Sequence, residues 1–404
     1  MRQVADNSKK GIIIDIPDYA LSVMKKIWEA GEEVYIVGGC LRDTLLGKAP
    51  NDYDMAVSCS PDRTLEILSD FRTVATGLAH GTVTAISEGR PIELTTFRVD
   101  GCYTDMRRPD SVSFTRSIAE DLARRDFTVN AMAYSPKVSL IDLFGGKEDL
   151  EAGVIRAVGE AERRFGEDAL RIMRAFRFSA QLGFEIEEST LAGARACREG
   201  LSRIAKERIS AEFIRLICSP SPEKPLLQMK ELEILPYVTL GYCPDEKIFS
   251  SLAQMPNNDI ARLGFFLCDA DRDTALSILN HLKCSNKQKS GALAISQNLR
   301  REIKTPKDAR YLRQRIGEHA VNAARASVLL GYNSHSALSL VEKDRSPCRI
   351  ADLAIGGKDL SQLGFCGKEV GDTLDFLLGQ VIEEPTLNQR DSLLALAKKK
   401  RKEE

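Results

Sequence analysis

At 404 residues, with 43% hydrophobic and 28% charged side chains and a formal net charge of −1, the chain has the composition of a globular protein of two or more domains. No run approaches the length of a membrane-spanning helix, and the apolar GIII behind MRQVADNSKK is too short for a signal peptide. The ten cysteines are scattered with no C-x-x-C, so free thiols in a reducing cytoplasm are expected rather than a disulfide frame or a zinc site.

Leu21, Met24, Ile27 and Trp28 share one side of a helix expected over 17–30, with Gly31 placed to end it. Residues 34–58, VYIVGGCLRDTLLGKAPNDYDMAVS, are the most informative stretch. A strand over Val34–Val37 runs into Gly38-Gly39, a brief helix follows over 40–46, and a second strand carries Asp52 and Asp54. Carboxylates two apart on a strand point the same way and repel one another unless a cation sits between them. Mg²⁺, which takes a few carboxylate oxygens together with substrate phosphate, suits the pair. The glycines let backbone N–H groups approach an anion, the helix aims its positive end at the same point, and Arg42 adds a fork of donors.

Further on, Pro61–Leu68 is expected to be a helix. Thr82–Ser87 and Ile92–Arg98 read as strands joined by a turn at Glu88-Gly89-Arg90, with Glu93 facing opposite to Ile92 and Leu94. Residues 100–116 form a polar loop too long for a plain turn. In RRDFT, Arg125 offers donors to triphosphate oxygens and Asp126 can accept from ribose hydroxyls. Asp142–Leu150 is a structural glycine turn. From Ala161 the pattern is helical to the end. Glu167–Leu182 reads as one helix, with Leu170, Met173 and Phe176 on its apolar stripe and Arg171, Arg174 and Arg177 beside it. Pro220, Pro222 and Pro225 mark a linker. Between His281 and Arg315 ten Lys or Arg stand against Glu302 and Asp308 alone, the footprint of either a phosphate-binding face or a solvated helix. No His-Asp dipeptide occurs and the four histidines are isolated, which argues against a metal phosphohydrolase domain; His80, in GLAHGT, reads as a turn histidine.

GG-x-x-RD-x-LLG, an Asp-x-Asp soon after, RRDFT-x-NAMA, EDALR and RIAKERISAE resemble, in order, the motifs of the polymerase-β-like nucleotidyltransferase superfamily. More narrowly, they resemble the class II tRNA nucleotidyltransferase and bacterial poly(A) polymerase family, over roughly 30–215. A weaker likeness returns at DLAIGGKDLSQLGFCGKEVGDTL, whose glycine turns suit backbone contacts to an RNA stem. The resemblance implies an α+β fold: a catalytic head with a mixed sheet and helices (1–150), then an all-α neck (151–220, base recognition), body (221–330, RNA binding) and tail (331–404, tRNA binding).

It implies addition of CMP and AMP from CTP and ATP to the 3′ end of tRNA without a template, with two Mg²⁺ ions. Asp52 and Asp54 would hold metal, and Glu93 is the candidate third carboxylate. Gly39, Arg42 and Arg125 would bind triphosphate, and Asp126 the ribose. Asp168 and Arg171 would read the base, since a carboxylate accepts from the exocyclic amine that cytosine and adenine share and uracil and guanine lack there. Arg174 and Arg177 would face phosphates or the RNA end, and Arg107, Arg108 and Asp110 would form a lever in the polar loop. RIAKERISAE would stiffen the helices around it.

Expected partners are therefore the acceptor stem and 3′ end of tRNA, CTP and ATP, with no membrane; a homodimer is left open. A poly(A) polymerase shares every motif, but the tail is not grossly basic and no arginine-rich insert is evident. Two further rivals are an enzyme adding only CC or only A and a catalytically silent tRNA-binding protein. The intact polar loop argues against CC-only addition, while A-only addition stays open. The retained carboxylates argue against the silent protein.

Overall fold

The computed structural model describes residues 14–50, 52–78, 81–101 and 112–403. His80, Arg107, Arg108 and Asp110 lie outside the described residues. The chain divides into two compact units, the first built from 1–216 with 224–238, the second from 217–223 with 239–404.

The first unit holds a seven-stranded mixed sheet. Its strands are β1 (Val34–Val37), β2 (Tyr53–Val57), β3 (Arg72–Gly77), β4 (Thr82–Ser87), β5 (Arg90–Thr96), β6 (Met132–Ser135) and β7 (Ser139–Asp142), in spatial order β3-β4-β5-β2-β1-β6-β7. All neighbours are antiparallel except β2 and β5, which run parallel with Asp54 opposite Glu93. Alternation sorts the two faces. Tyr35, Val37, Ala56 and Phe97 pack with Leu122 of helix α4 (Ile118–Ala123), and Asp54, two before Ala56, shares their face.

The other helices of this unit used below are α1 (Asp18–Glu29), α2 (Gly38–Leu45), α3 (Pro61–Ile67), α5 (Gly146–Ala152), α6 (Ala161–Glu167), α7 (Leu170–Leu182), α8 (Glu188–Ala196) and α9 (Lys206–Ile217). Helix α1 buries Tyr19, Ala20, Val23, Met24 and Ile27. Its buried stripe is thus rotated from the expected one: Leu21 and Trp28 stay half-buried, and Lys137 sits over the Trp28 ring. Gly31 ends it at φ +80°, the left-handed conformation that favours glycine. Glu88 and Gly89, both at positive φ, turn β4 into β5, which is an interior strand.

Two expectations need correction. Asp52 does not belong to the second strand; it occupies the bend just before Tyr53. Glu167–Leu182 is not one helix. Asp168 is extended (φ −139°, ψ 104°), and its Oδ1 accepts from Leu170 N at 3.0 Å, so it stops α6 and starts α7. A short carboxylate that can bond the backbone ahead of it competes with helix continuation.

The second unit is helical throughout its described residues. One apolar cluster gathers Ile303, Ala309, Leu312, Ala320, Ala324 and Val341, and another gathers Leu360, Phe365, Leu377, Val381, Ile382 and Leu393. Buried Arg262 donates to the carbonyls of Ile217, Ser219, Ala253 and Met255, tying the linker residues to the helix Asp259–Phe266. Part of the basic stretch serves the fold: Arg310 donates to the carbonyls of Ile382 and Glu383, and Lys307 and Tyr311 hold the Glu383 carboxylate.

Where the head closes, a Cβ on Gly146 would lie 2.2 Å from the Thr128 carbonyl oxygen and 2.9 Å from Met132 Cγ. Gly146→Ala is expected to cost about 1–3 kcal/mol by overpacking, lowering the thermal midpoint by roughly 2–4 °C per kcal/mol. An unchanged midpoint in calorimetry contradicts that close approach.

Candidate active site

Strand β1 ends at Val37 and the backbone turns at Gly38 with φ +73°. A side chain there is strained by that conformation, and its Cβ would lie 3.3 Å from Arg125 Nη1. Helix α2 begins at once, so its free N–H groups open beside the carboxylates. Cys40 binds the two parts together. Its thiol donates to the Val37 carbonyl at 3.1 Å, and its sulfur accepts from Asp54 N at 3.4 Å. Burial pushes the thiol up to about 12, so it remains protonated and donating.

Asp54 is half-buried, whereas Asp52 and Glu93 are exposed. Burial, reinforced by the negative charges of Asp52 and Glu93, raises the Asp54 carboxyl to about 6, against the opposing pull of Arg125. The donor set therefore fits Mg²⁺: hard oxygens on rigid strands, mutually repelling, beside an anion-binding turn. Among the described residues no three His, Cys, Asp or Glu side chains converge as tightly as a filled metal site.

Arg125 follows α4. Its Nη2 donates to Asp121 at 3.0 Å, its Nη1 reaches the Asn130 carbonyl at 3.5 Å, and its Nε is buried with no acceptor. Asp121, which also takes Arg124 at 2.7 Å, is held below the usual carboxylate range, because the two guanidinium groups outweigh its burial.

Arg42 differs from the sequence expectation in setting. It is 4% exposed, with Nε on Asp43 at 2.8 Å, Nη1 on Asn130 at 2.9 Å, and Phe178 against its face. It braces α2, and Gly39 lies 3.6 Å from it when a Cβ is added. Asp126 is similarly engaged. Arg174 Nε and Nη2 donate to its Oδ2 at 2.7 and 2.6 Å, and Asn130 donates to Oδ1 at 3.3 Å. Burial alone would raise its carboxyl, but Arg174 overcomes that and holds it at about 2.

Asp168 Oδ2 takes Arg208 at 3.0 Å. Arg171 donates to Glu167 at 2.7 Å and to the carbonyls of Arg164 and Arg124. Arg177 is buried in an ion pair with Glu212 and lies 3.8 Å from the Phe178 ring centre. The structure thus gathers Asp52, Asp54, Glu93, Gly39 and Arg125 around one turn. Asp126, Arg174 and Arg42 sit behind it in a network with Asn130 and Phe178, and Asp168 and Arg171 lie at the α6–α7 break. Arg177 is turned inward to Glu212.

Sequence reasoning assigned no role to Asp121, Asn130, Glu167 or Phe178. Asn130 and Asp121 stand four residues from Asp126 and Arg125, and Glu167 four before Arg171, so helical spacing was a usable signal. The Arg208–Asp168 pair spans 40 residues and left no such trace.

An anion-binding turn at a helix N-terminus, set against strand carboxylates in a mixed sheet, defines the head of a nucleotidyltransferase. Residues 34–156 match the poly A polymerase head domain, and 183–243 match the probable RNA and SrmB-binding site of polymerase A. The CCA-adding enzyme of Levilactobacillus brevis is 36% identical over 94% of this chain and 96% of its own length; that of Ligilactobacillus salivarius is 36% identical over 96% and 98%. The crystal structure of Bacillus stearothermophilus CCA-adding enzyme in complex with CTP superposes with a TM-score of 0.80 at 30% identity, covering 95% of this chain and 97% of that one. The chain belongs to the CCA-adding enzyme family of nucleotidyltransferases.

The raised Asp54 carboxyl has a measurable consequence. Between its unfolded range near 4 and about 6, the native state holds the proton more tightly than the unfolded chain, so metal-free stability falls as pH rises through that window. Asp54→Asn is expected to flatten that segment of the stability-against-pH curve followed by urea unfolding in EDTA. A slope unchanged by the substitution contradicts the assignment.

Proposed function

We propose that this chain adds CMP and AMP from CTP and ATP to the 3′ end of tRNA, with the acceptor stem and 3′ end as its nucleic-acid substrate. The observation that carries the reading is the placing of Asp54 and Glu93 on paired strand positions beside the glycine turn that opens α2. Asp52, Asp54 and Glu93 would hold two Mg²⁺ ions, which when bound supply the charge that activates the 3′-hydroxyl and steadies the departing pyrophosphate. The backbone N–H groups at Gly38-Gly39 and the Arg125 guanidinium hold the triphosphate, fixing its α-phosphorus for in-line attack. Arg42 acts from behind, keeping α2 in place.

Asp168 accepts from the exocyclic amine of cytosine or adenine, and Arg171 donates to a ring acceptor. Both exchange a present partner, Arg208 for Asp168 and Glu167 for Arg171, as the base enters. Uracil and guanine would set a carbonyl against Asp168. Asp126, which Arg174 and Asn130 hold behind the turn, would accept from the ribose hydroxyls once part of that network gives way. Residues 1–150 carry the chemistry, 151–220 read the base, and 221–330 and 331–404 hold RNA. None of the nine described cysteines is in a disulfide, which suits a reducing cytoplasm.

Purified protein given tRNA lacking its last three nucleotides, with CTP and ATP together, is expected to yield a product three nucleotides longer. CTP alone is expected to stop it after two. A long A ladder, or extension by only CC or only A, overturns full CCA addition. Asp54→Ala is expected to abolish incorporation while tRNA binding in a gel-shift assay stays near wild type; substantial residual transfer refutes the metal role. Asp168→Ala is expected to lose discrimination against UTP by about 10–100-fold, of the order of one hydrogen bond to a charged group. Discrimination equal to wild type removes base reading from this residue.

A further inference from the structure

Within the second unit a concavity of about 570 Å³ opens where the helix Pro306–Ile316 meets the segment after the helix His335–Lys343. Arg313, Arg345 and Arg349 line it, with Ser346 and Gly317. Arg313 Nη1 is buried there with no hydrogen-bond partner, a donor left over by the fold. Several others of the basic stretch are engaged: Lys304 pairs with Glu302, Lys307 with Glu383, and Arg300 with Asp269, while Arg310 caps carbonyls.

Two features oppose an anion in this space. Glu318 stands at the rim, and the carbonyl end of the helix Pro306–Ile316 points toward it. Asp352 is already matched, taking Arg349 at 3.2 Å and the backbone N–H groups of Cys348 and Arg349 at 3.2 and 3.0 Å. Glu318 carries its charge largely in solvent, its side chain 79% exposed, and there it is screened. Arg345 donates through Nη1 to the carbonyls of Glu342 and Asp344, which are uncharged acceptors. Arg313 and Arg345 then leave the concavity with an excess of positive charge. A guanidinium fork sets paired donors at the spacing of phosphate oxygens, as it does for carboxylates. The space exceeds a bare phosphate ion and has room for the sugar attached to it.

We infer that this concavity is a phosphate-ester site, in which Arg313 and Arg345 grip a phosphate of the RNA substrate outside the catalytic head. The inference rests on the RNA-extending function proposed for the chain, and free phosphate or pyrophosphate is the other source of the same chemistry.

The full-length protein, held in EDTA so that no transfer occurs, is titrated against labelled tRNA lacking CCA at several KCl concentrations. Arg313→Gln is expected to weaken binding about tenfold at a fixed salt and to flatten the dependence of log affinity on log salt by roughly 0.7–0.9, the loss of one phosphate contact. Arg345→Gln, a change of an exposed side chain, repeats the measurement where misfolding of the first variant would obscure it. In a second arm, pyrophosphate is added without RNA and the thermal midpoint followed. If RNA affinity and slope stay at wild type while pyrophosphate stabilises the wild type and neither variant, the site takes free phosphate. If wild-type protein binds no tRNA, the RNA reading fails and the pyrophosphate arm alone decides the pocket. Wild-type RNA affinity and slope in both variants, with no difference in response to pyrophosphate, overturns the proposal.

Discussion

Everything in the head answers to like charges confined on one sheet face. The parallel pairing of β2 with β5 sets Glu93 opposite Asp54, and Asp52 stands one residue before β2 begins. A strand cannot relieve this repulsion by slipping, because a one-residue shift would carry Ala56 out of the core it shares with Tyr35, Val37 and Phe97. Hydrophobic packing thus holds Asp54 partly out of water beside two other carboxylates, and burial first, their charges second, push its carboxyl up to about 6. The fold maintains a place where positive charge is wanted, and the nearest protein cation, Arg125, is too tied to Asp121 to supply it alone.

Behind that face lies a second, largely buried layer that joins the glycine turn at the start of α2 to helix α7. Phe178 lies against the guanidinium groups of Arg42, Arg174 and Arg177 and meets Phe127 edge-on at 5.8 Å. Each of those arginines has its own acceptor: Asp43 and Asn130 for Arg42, Asp126 for Arg174, Glu212 for Arg177. Stacking on an aromatic face and a matched carboxylate together make burial of three guanidinium groups tolerable. Helices α2 and α7 are consequently braced through one ring, so a displacement of either is felt by the other.

The sequence made the fold legible where it is local: the β1 strand and the turn that only glycine takes easily at Gly38 were read correctly, whereas period-two alternation put Asp52 on a strand that begins only at Tyr53. The hairpin of β4 and β5 was marked by Glu88-Gly89. What it concealed is pairing over distance. That Arg42 is a buried brace depends on Asn130, 88 residues away, and Arg208 reaches Asp168 across 40. The break at Asp168 did have a local mark, Gly166 two residues before it, which a helix read from Glu167 onward leaves out of account. The basic stretch, which charge counting left open between two readings, serves the fold in part: Arg310 caps the carbonyls of Ile382 and Glu383, and Lys307 pairs with Glu383.

The central claim is that the strand carboxylates form one cation site beside the glycine turn. Binding of Mn²⁺, a spectroscopic substitute for Mg²⁺, followed by electron paramagnetic resonance in the presence of CTP tests it most directly. The account predicts tight Mn²⁺ binding in the wild type and its loss in a folded Asp54→Asn variant. Mn²⁺ bound equally well by that variant would contradict it.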